Sequence, residues 1–305
     1  MIDVVLCGDR KVLLGMAVAG RSALENSSVG LRFWIICFGY SESDKDDIRR
    51  SFQHKNLASV AFADLEAHKV SGFRQTAVIG STMSYARFYI AELFPSLGRC
   101  VYLDSDLLVL RDLVETTSID LGDNGIAAAL DISTRKGRSH LQTYRVDLGL
   151  SNAAEYVNTG FMIIDLDFWR KNNITELVTQ TSLDKADLLH TQDQDVLNLV
   201  FEGKTAFLSA DWNTSQYEKP EPISGKVVHL IGPQKPWHAR YSTKFKDSYY
   251  RDTISECFHD ILDRTAFRGK RPWNPLYLGW MKEAVASRVP TRAMIGRKLR
   301  QLVGR

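Results

Sequence analysis

Arg99-Cys-Val-Tyr-Leu-Asp-Ser-Asp-Leu-Leu-Val-Leu110 reads as a buried strand that ends in two carboxylates two residues apart. A strand of that length with no polar face belongs inside a sheet covered on both sides by helices. The sequence before it agrees. Residues 2–7, 31–37 and 58–62 read as further short strands, and 12–24, 41–52 and 84–94 read as helices between them. Ser41 and Ser43 ahead of acids, with basic residues at the far end, mark 41–52 as a capped helix. Strands alternating with helices predict an α/β fold with a largely parallel, Rossmann-like sheet. Ligands of such sheets sit at the carboxyl ends of the strands, near a switch in strand order. Asp9 and Asp104 both stand at such ends.

The second half is less regular. Residues 125–131 and 157–165 are apolar runs, 167–172 starts a helix, 188–201 is helical and 226–230 is a short strand. The polar stretch 132–156 lacks periodicity and is expected to be a long loop of the kind that closes over a site. No repeats or low-complexity segments occur.

The 305 residues are 44% apolar and 25% charged, which excludes disordered and fibrous classes. The net charge of +3 is unevenly placed, with seven basic residues after position 280 against the single acid Glu283. A nearly neutral body argues against nucleic-acid binding, which needs a basic face on the domain itself. Cys7, Cys37, Cys100 and Cys257 are scattered without ligand spacing and are expected to be reduced thiols. The sequence opens directly in a strand pattern and has no long apolar run, which predicts a cytoplasmic chain without leader or membrane span.

Paired aspartates suit a hard divalent cation shared with substrate phosphates. The pattern alone is weak, because Asp-x-Asp occurs four times here and a solvated strand end explains it equally well. Context strengthens the 104/106 pair. His229 ends a short strand and precedes Leu-Ile-Gly232-Pro-Gln-Lys235, which offers a nitrogen ligand, a close backbone approach and a cation for a phosphate. Asn158-Thr159-Gly160 is either a turn with a glycine bulge or a set of amide and hydroxyl groups for a sugar. Gln192-Asp193-Gln194-Asp195 is either a helix cap or a sugar-recognition surface.

Taken in order, Asp9, Ser84-Tyr-Ala-Arg87, Val101-Tyr-Leu-Asp104-Ser-Asp106 and Leu121-Gly-Asp-Asn-Gly-Ile-Ala-Ala-Ala-Leu-Asp131 resemble retaining glycosyltransferase family 8. Tyr156-Val-Asn158-Thr-Gly-Phe-Met-Ile-Ile-Asp-Leu-Asp-Phe-Trp-Arg170, Gln192-Asp-Gln194-Asp-Val-Leu-Asn198 and His229 to His238 continue the likeness. Within that family it is especially similar to the bacterial lipooligosaccharide galactosyltransferases. The resemblance implies a GT-A catalytic domain over residues 1–265, a Mn²⁺ site (Mg²⁺ being the other hard cation of the class), a UDP-sugar donor and a saccharide or lipid-linked acceptor. It implies Asp104, Asp106 and His229 as metal ligands, with Asp106 also near the ribose. Asp9 is implied at the base, and Gly232 and Lys235 at the diphosphate. Arg87, Asp131, Asn158, Thr159 and Asp193 are implied around the sugar. Gln194 is implied beside the reacting carbon, in a front-side displacement with retention, and Asp195 is the alternative nucleophile.

Three features depart from the family. Arg10-Lys11-Val12 replace the Asn and Tyr that often follow Asp9, the segment Thr-Ala-Val-Ile-Gly-Ser-Thr-Met before Ser84 lacks a His sometimes found there, and the 132–156 stretch offers no usable match. Residues 266–305 form a basic, aromatic tail with Trp273, Tyr277 and Trp280 ahead of an apolar stripe, expected either to dock on an anionic membrane surface or to remain solvated. Two other functions compete. One is a catalytically idle sugar-nucleotide binder on the same fold. The other is a haloacid-dehalogenase-type phosphatase, disfavoured by Leu108 and by the motif's distance from the N-terminus.

Overall fold

The computed structural model describes residues 1–76, 81–232, 235–238 and 253–270. Its centre is a seven-stranded sheet in the order β3-β2-β1-β4-β7-β6-β8. β1 (Ile2–Asp9), β2 (Leu31–Phe38), β3 (Leu57–Asp64) and β4 (Arg99–Leu103) run parallel, as the alternation of strands and helices predicts. β7 (Val157–Asp165) is antiparallel to both β4 and β6 (Ile126–Leu130), and β8 (Thr205–Leu208) is parallel to β6.

Apolar side chains fill both faces of the sheet. One core holds Val4, Leu6, Phe33 and Ile35 under helix α1 (Leu13–Asn26) and helix α2 (Glu42–Ser51). The other holds Val5, Tyr102, Met162 and Ile164 under the segments around residues 82–97 and 166–201. The Ser41 capping box of α2 forms as its sequence predicts, with Asp44 as the reciprocal partner. All four cysteines are free thiols.

The chain order crosses itself between β1 and β4. Strands β1 to β3 build outward on one side, and β4 then returns to the other side of β1. The crevice at their carboxyl ends is therefore a topological switch point. Past β4 the backbone leaves the central sheet. Asp104, Ser105 and Asp106 make the turn, and β5 (Leu107–Val109) enters a second sheet of order β5-β10-β9. There β5 pairs antiparallel with β10 (Val227–His229), placing Leu107 opposite His229. β9 (Thr214–Ser215) completes this sheet.

Two expectations are corrected. Residues 84–94 form a 3-10 segment, Thr82–Tyr89, followed by one α-turn, Ile90–Leu93. Met83 and the run from Tyr85 to Tyr89 are all buried, so no one-sided α-helical stripe governs the segment. The 132–156 stretch is not an open loop. It holds the short helix Ile132–Arg135, the helix Ser139–Leu148 closed by Gly149 at φ 116°, and a 3-10 turn Ala153–Glu155. The buried side chains of Ser139–Leu148 are Arg145 and Leu148, a charge and one apolar group, which leaves no hydrophobic period to read.

The helix Ser255–Leu262 and the turn after it pack on α1, and Phe267 is buried in the first core. Of the tail expected over residues 266–305, positions 271–305 lie outside the described residues. No helix among the described residues is long and apolar enough to cross a membrane.

Glu25 joins this C-terminal segment to α1, accepting from Arg264 Nε and Nη2 at 2.8 Å each and from Arg21 Nε at 2.7 Å. Partial burial opposes ionisation, but the two guanidinium groups outweigh it and hold the carboxyl below its usual range. Its stabilising contribution is therefore present at neutral pH and lost as the pH falls through the folded-state value. Glu25→Gln is expected to cost about 1 kcal/mol at pH 7. In urea unfolding the gap to wild type should close as the solution becomes acidic, and a pH-independent gap would rule out the ion pair.

Candidate active site

Asp104, Asp106 and His229 meet at the junction of the two sheets, with one ligand atom from each within 4.8 Å of the others. Backbone bonds fix the junction. The Asp104 N–H donates to Gly160 O at 2.8 Å, and the Leu230 N–H donates to Asp106 O at 2.9 Å. His229 Nε2 lies 3.2 Å from Asp106 Oδ1 and 3.8 Å from Asp104 Oδ2. Its Nδ1 faces two amide oxygens, Asn158 Oδ1 at 3.1 Å and Asn213 Oδ1 at 3.0 Å.

The Asn158 atom must be oxygen, because it also accepts the Gly160 N–H at 3.0 Å. His229 Nδ1 therefore carries a proton, and Nε2 points at two carboxylates. Nε2 in that position is balanced either by a second ring proton or by a cation lying between it and the acids. Two carboxylates and one imidazole nitrogen form a donor set that suits a divalent cation such as Mn²⁺ or Mg²⁺.

Each acid also has a cationic neighbour. Arg87 Nη2 donates to Asp104 Oδ1 at 2.7 Å, beside Tyr102 Oη on the same oxygen at 2.7 Å. Lys235 Nζ contacts Asp106 Oδ2 and donates to Leu230 O at 2.7 Å. Burial raises the Asp106 carboxyl, but the Lys235 ammonium beside it outweighs burial and holds it well below the ordinary range. Trp237 wedges beneath this loop, close enough that a Cβ on Gly15 of α1 would lie 2.6 Å from its ring and 2.3 Å from Ser105 O.

Arg87 is 4% exposed and spans the site. Besides Asp104 it meets Asp193 Oδ2 at 3.0 Å, and it donates to Thr159 O at 2.8 Å and to Thr159 Oγ1 at 3.0 Å. Burial pushes the Asp193 carboxyl upward, against the pull of Arg87. Asn158 continues the chain of contacts, donating through Nδ2 to Asp131 Oδ2 at 3.2 Å. Asp131 also accepts from Ser133, and Arg145 lies 3.5 Å away.

The remaining expected residues divide. Gln194 is half-buried and loosely held, with Oε1 3.4 Å from the Thr159 N–H and Nε2 3.3 Å from Tyr156 Oη. Asp195 is fully buried and accepts from Tyr144, Tyr156, Thr191 Oγ1 and the N–H groups of His190 and Thr191, all between 2.5 and 2.7 Å. Gln192 is also fully buried. Its backbone is at φ 52°, and its side chain bonds Thr76, Ser81 and Ser84. Asp9 ends β1 and accepts the Lys11 N–H at 2.8 Å. Gly232 adopts φ 94°, a conformation that favours glycine.

Tyr102, Asn213 and Tyr156 hold these groups in place, and the sequence analysis did not single them out. For Tyr102 a signal existed, since it lies two positions before Asp104 on the same face of the strand.

The profile of the family described as Glycosyl transferase family 8 matches residues 3–240, most of the chain. The chain belongs to glycosyltransferase family 8. It is 26% identical over 246 residues to the lipopolysaccharide 1,2-glucosyltransferase of Escherichia coli, covering 75% of this chain and 71% of that protein. Over 187 residues it is 28% identical to general stress protein A of Bacillus subtilis, covering 55% of this chain and 63% of the relative. A solved structure of the galactosyltransferase LgtC with donor and acceptor sugar analogues superposes with a TM-score of 0.74 at 24% identity, covering 87% of this chain and 96% of that one. This family 8 member therefore has the GT-A type of fold. The likeness to the lipooligosaccharide galactosyltransferases read from the sequence agrees with these relatives.

Two substitutions probe the site. A Cβ at position 160 would sit 2.2 Å from His229 Cε1 and 3.0 Å from Asp104 Oδ2. Gly160→Ala is thus expected to weaken Mn²⁺ binding by about tenfold or more, read by direct cation titration. Wild-type affinity in that variant would refute the tight packing of the junction. Asp195→Ala would strand the five donors and is expected to lower unfolding stability by about 3–5 kcal/mol in urea titrations. An unchanged midpoint would mean that Asp195 is not a structural anchor.

Proposed function

We propose that this glycosyltransferase moves a hexose, galactose or glucose, from a UDP-sugar to a saccharide or lipid-linked acceptor with retention of anomeric configuration, using Mn²⁺ or Mg²⁺. The observation that carries the proposal is the convergence of His229 Nε2 with the carboxylates of Asp104 and Asp106 at the switch point of the sheet. A divalent cation held there supplies charge neutralisation for the departing diphosphate. The names of the lipopolysaccharide-acting relatives support a role in building bacterial surface saccharides.

The chain's own groups divide the donor among them. Gly232 leaves its backbone open to the diphosphate, and Lys235 offers a cation that can shift from Asp106 to a phosphate oxygen. Asp9, at the end of β1, faces the base and ribose end. Asp131, Asn158 and Asp193 hold the sugar hydroxyls, with Arg87 and Thr159 fixing their positions from behind. Departure of the diphosphate leaves positive charge on the anomeric carbon. Gln194 Oε1 is the oxygen proposed to stabilise it. An amide is a poor nucleophile, which favours front-side attack by the acceptor hydroxyl, with the leaving diphosphate as the proton acceptor. The five donors satisfied by Asp195 support an anchoring role over attack on carbon.

The test is UDP release from UDP-galactose and UDP-glucose in the presence of Mn²⁺, with and without saccharide acceptors. Asp104→Asn is expected to lower turnover by at least about 100-fold. Full activity in that variant would remove the metal assignment, and donor binding without turnover on any acceptor would favour an idle binder.

A further inference from the structure

Asn213 lies outside every motif discussed above, in the turn between the 3-10 segment Ala210–Trp212 and β9. It is 3% exposed, and its amide is fully oriented. Nδ2 donates to Asn158 Oδ1 at 2.7 Å and to Asn158 O at 3.3 Å, so that end must be nitrogen. Oδ1 therefore faces His229 Nδ1 at 3.0 Å. Reversing the amide would set an oxygen against two oxygens and an N–H against an N–H. Asn213 thus does two things at once. It accepts the imidazole proton, and it holds Asn158 in the orientation that accepts the same proton.

We infer that Asn213 is the positioning residue of the metal centre, locking His229 in the Nδ1–H tautomer so that Nε2 is committed to a divalent cation. Groups that hold the far side of a metal-bound imidazole commonly change metal affinity by about 10–100-fold. The same amide couples the metal side to the sugar side, because Asn158 also donates to Asp131 Oδ2. The inference rests on the proposed metal site but concerns the imidazole, not turnover.

Two measurements test it. In wild-type protein with ¹⁵N-labelled histidine and bound ¹¹³Cd²⁺, the His229 ring is expected to show a protonated Nδ1 and cadmium coupling at Nε2 only. Coupling at Nδ1 would overturn the inference while leaving a metal site. In Asn213→Ala, Mn²⁺ affinity measured without donor or acceptor is expected to fall about 10–100-fold. Unchanged affinity in the folded variant would overturn the inference too. The spectroscopic arm uses wild-type protein and so stands even if the variant does not fold. If wild type binds neither cation, both the metal reading and the role of Asn213 fail together.

Discussion

The buried guanidinium of Arg87 is the constraint around which the site is assembled. Taking such a charge out of water costs several kcal/mol unless carboxylates and hydrogen bonds surround it. Asp104 and Asp193 provide the carboxylates, Thr159 and the Ser84 carbonyl provide further acceptors, and the Tyr102 ring lies 4.5 Å below. These partners come from β4, from β7, from the Thr82–Tyr89 segment and from the helix Asp193–Val200. None of the elements can shift alone without stranding the charge. The guanidinium that balances the acids also fixes the distance between the Asp104 and Asp193 sides of the crevice.

Around this post the chain passes from one sheet to another within three residues. Asp104 belongs to the end of β4, and Asp106 to the entry of β5. Leu107 opposes His229 in the small sheet, so strand register brings the turn that carries Asp104 and Asp106 up against His229. A turn anchored by a strand at each end is held more tightly than a free loop. Gly160 makes the convergence sterically possible, because the imidazole and the Asp104 carboxylate occupy the space a side chain would need.

Much of this was legible in the sequence where burial imposes a pattern. The strands announced themselves through runs such as Val4–Leu6 and Phe161–Ile164, and the switch-point location followed from their order. His229 and Lys235 were readable because a strand end and a Gly-Pro sequel framed them. Asn213 had no such frame. A single asparagine after Trp212 in an irregular turn gains its meaning only from Asn158, 55 positions earlier, and His229, 16 positions later. The helix Ser139–Leu148 was hidden for a different reason. Arg145 is its main inward group, bonded to Ser133 and Thr134 and packed 3.8 Å from the Tyr156 ring centroid, and polar packing leaves no periodic trace. Asp195 shows the converse case. Its sequence neighbours suggested chemistry, but only the three-dimensional arrangement reveals five donors enclosing it.

The two ends of the crevice are unequally built. Around Arg87 and His229 the polar groups are already partnered: Asp131 to Asn158, Asn158 to Asn213 and His229, Arg87 to Asp104 and Asp193. Preorganised dipoles of this kind need no rearrangement when charge develops, which is where electrostatic catalysis gains most. At the other end the Asp9 carboxylate accepts the Lys11 N–H two residues along, its carbonyl accepts from Tyr40 Oη at 3.4 Å, and Arg10 is largely exposed in its pairing with Asp44. On the proposed reading a nucleobase at that end would meet the exposed side chain of Arg10, and the entropy of ordering it would oppose binding. Discrimination among donors is therefore expected to come from the diphosphate and sugar, with the base contributing reach and orientation more than selectivity.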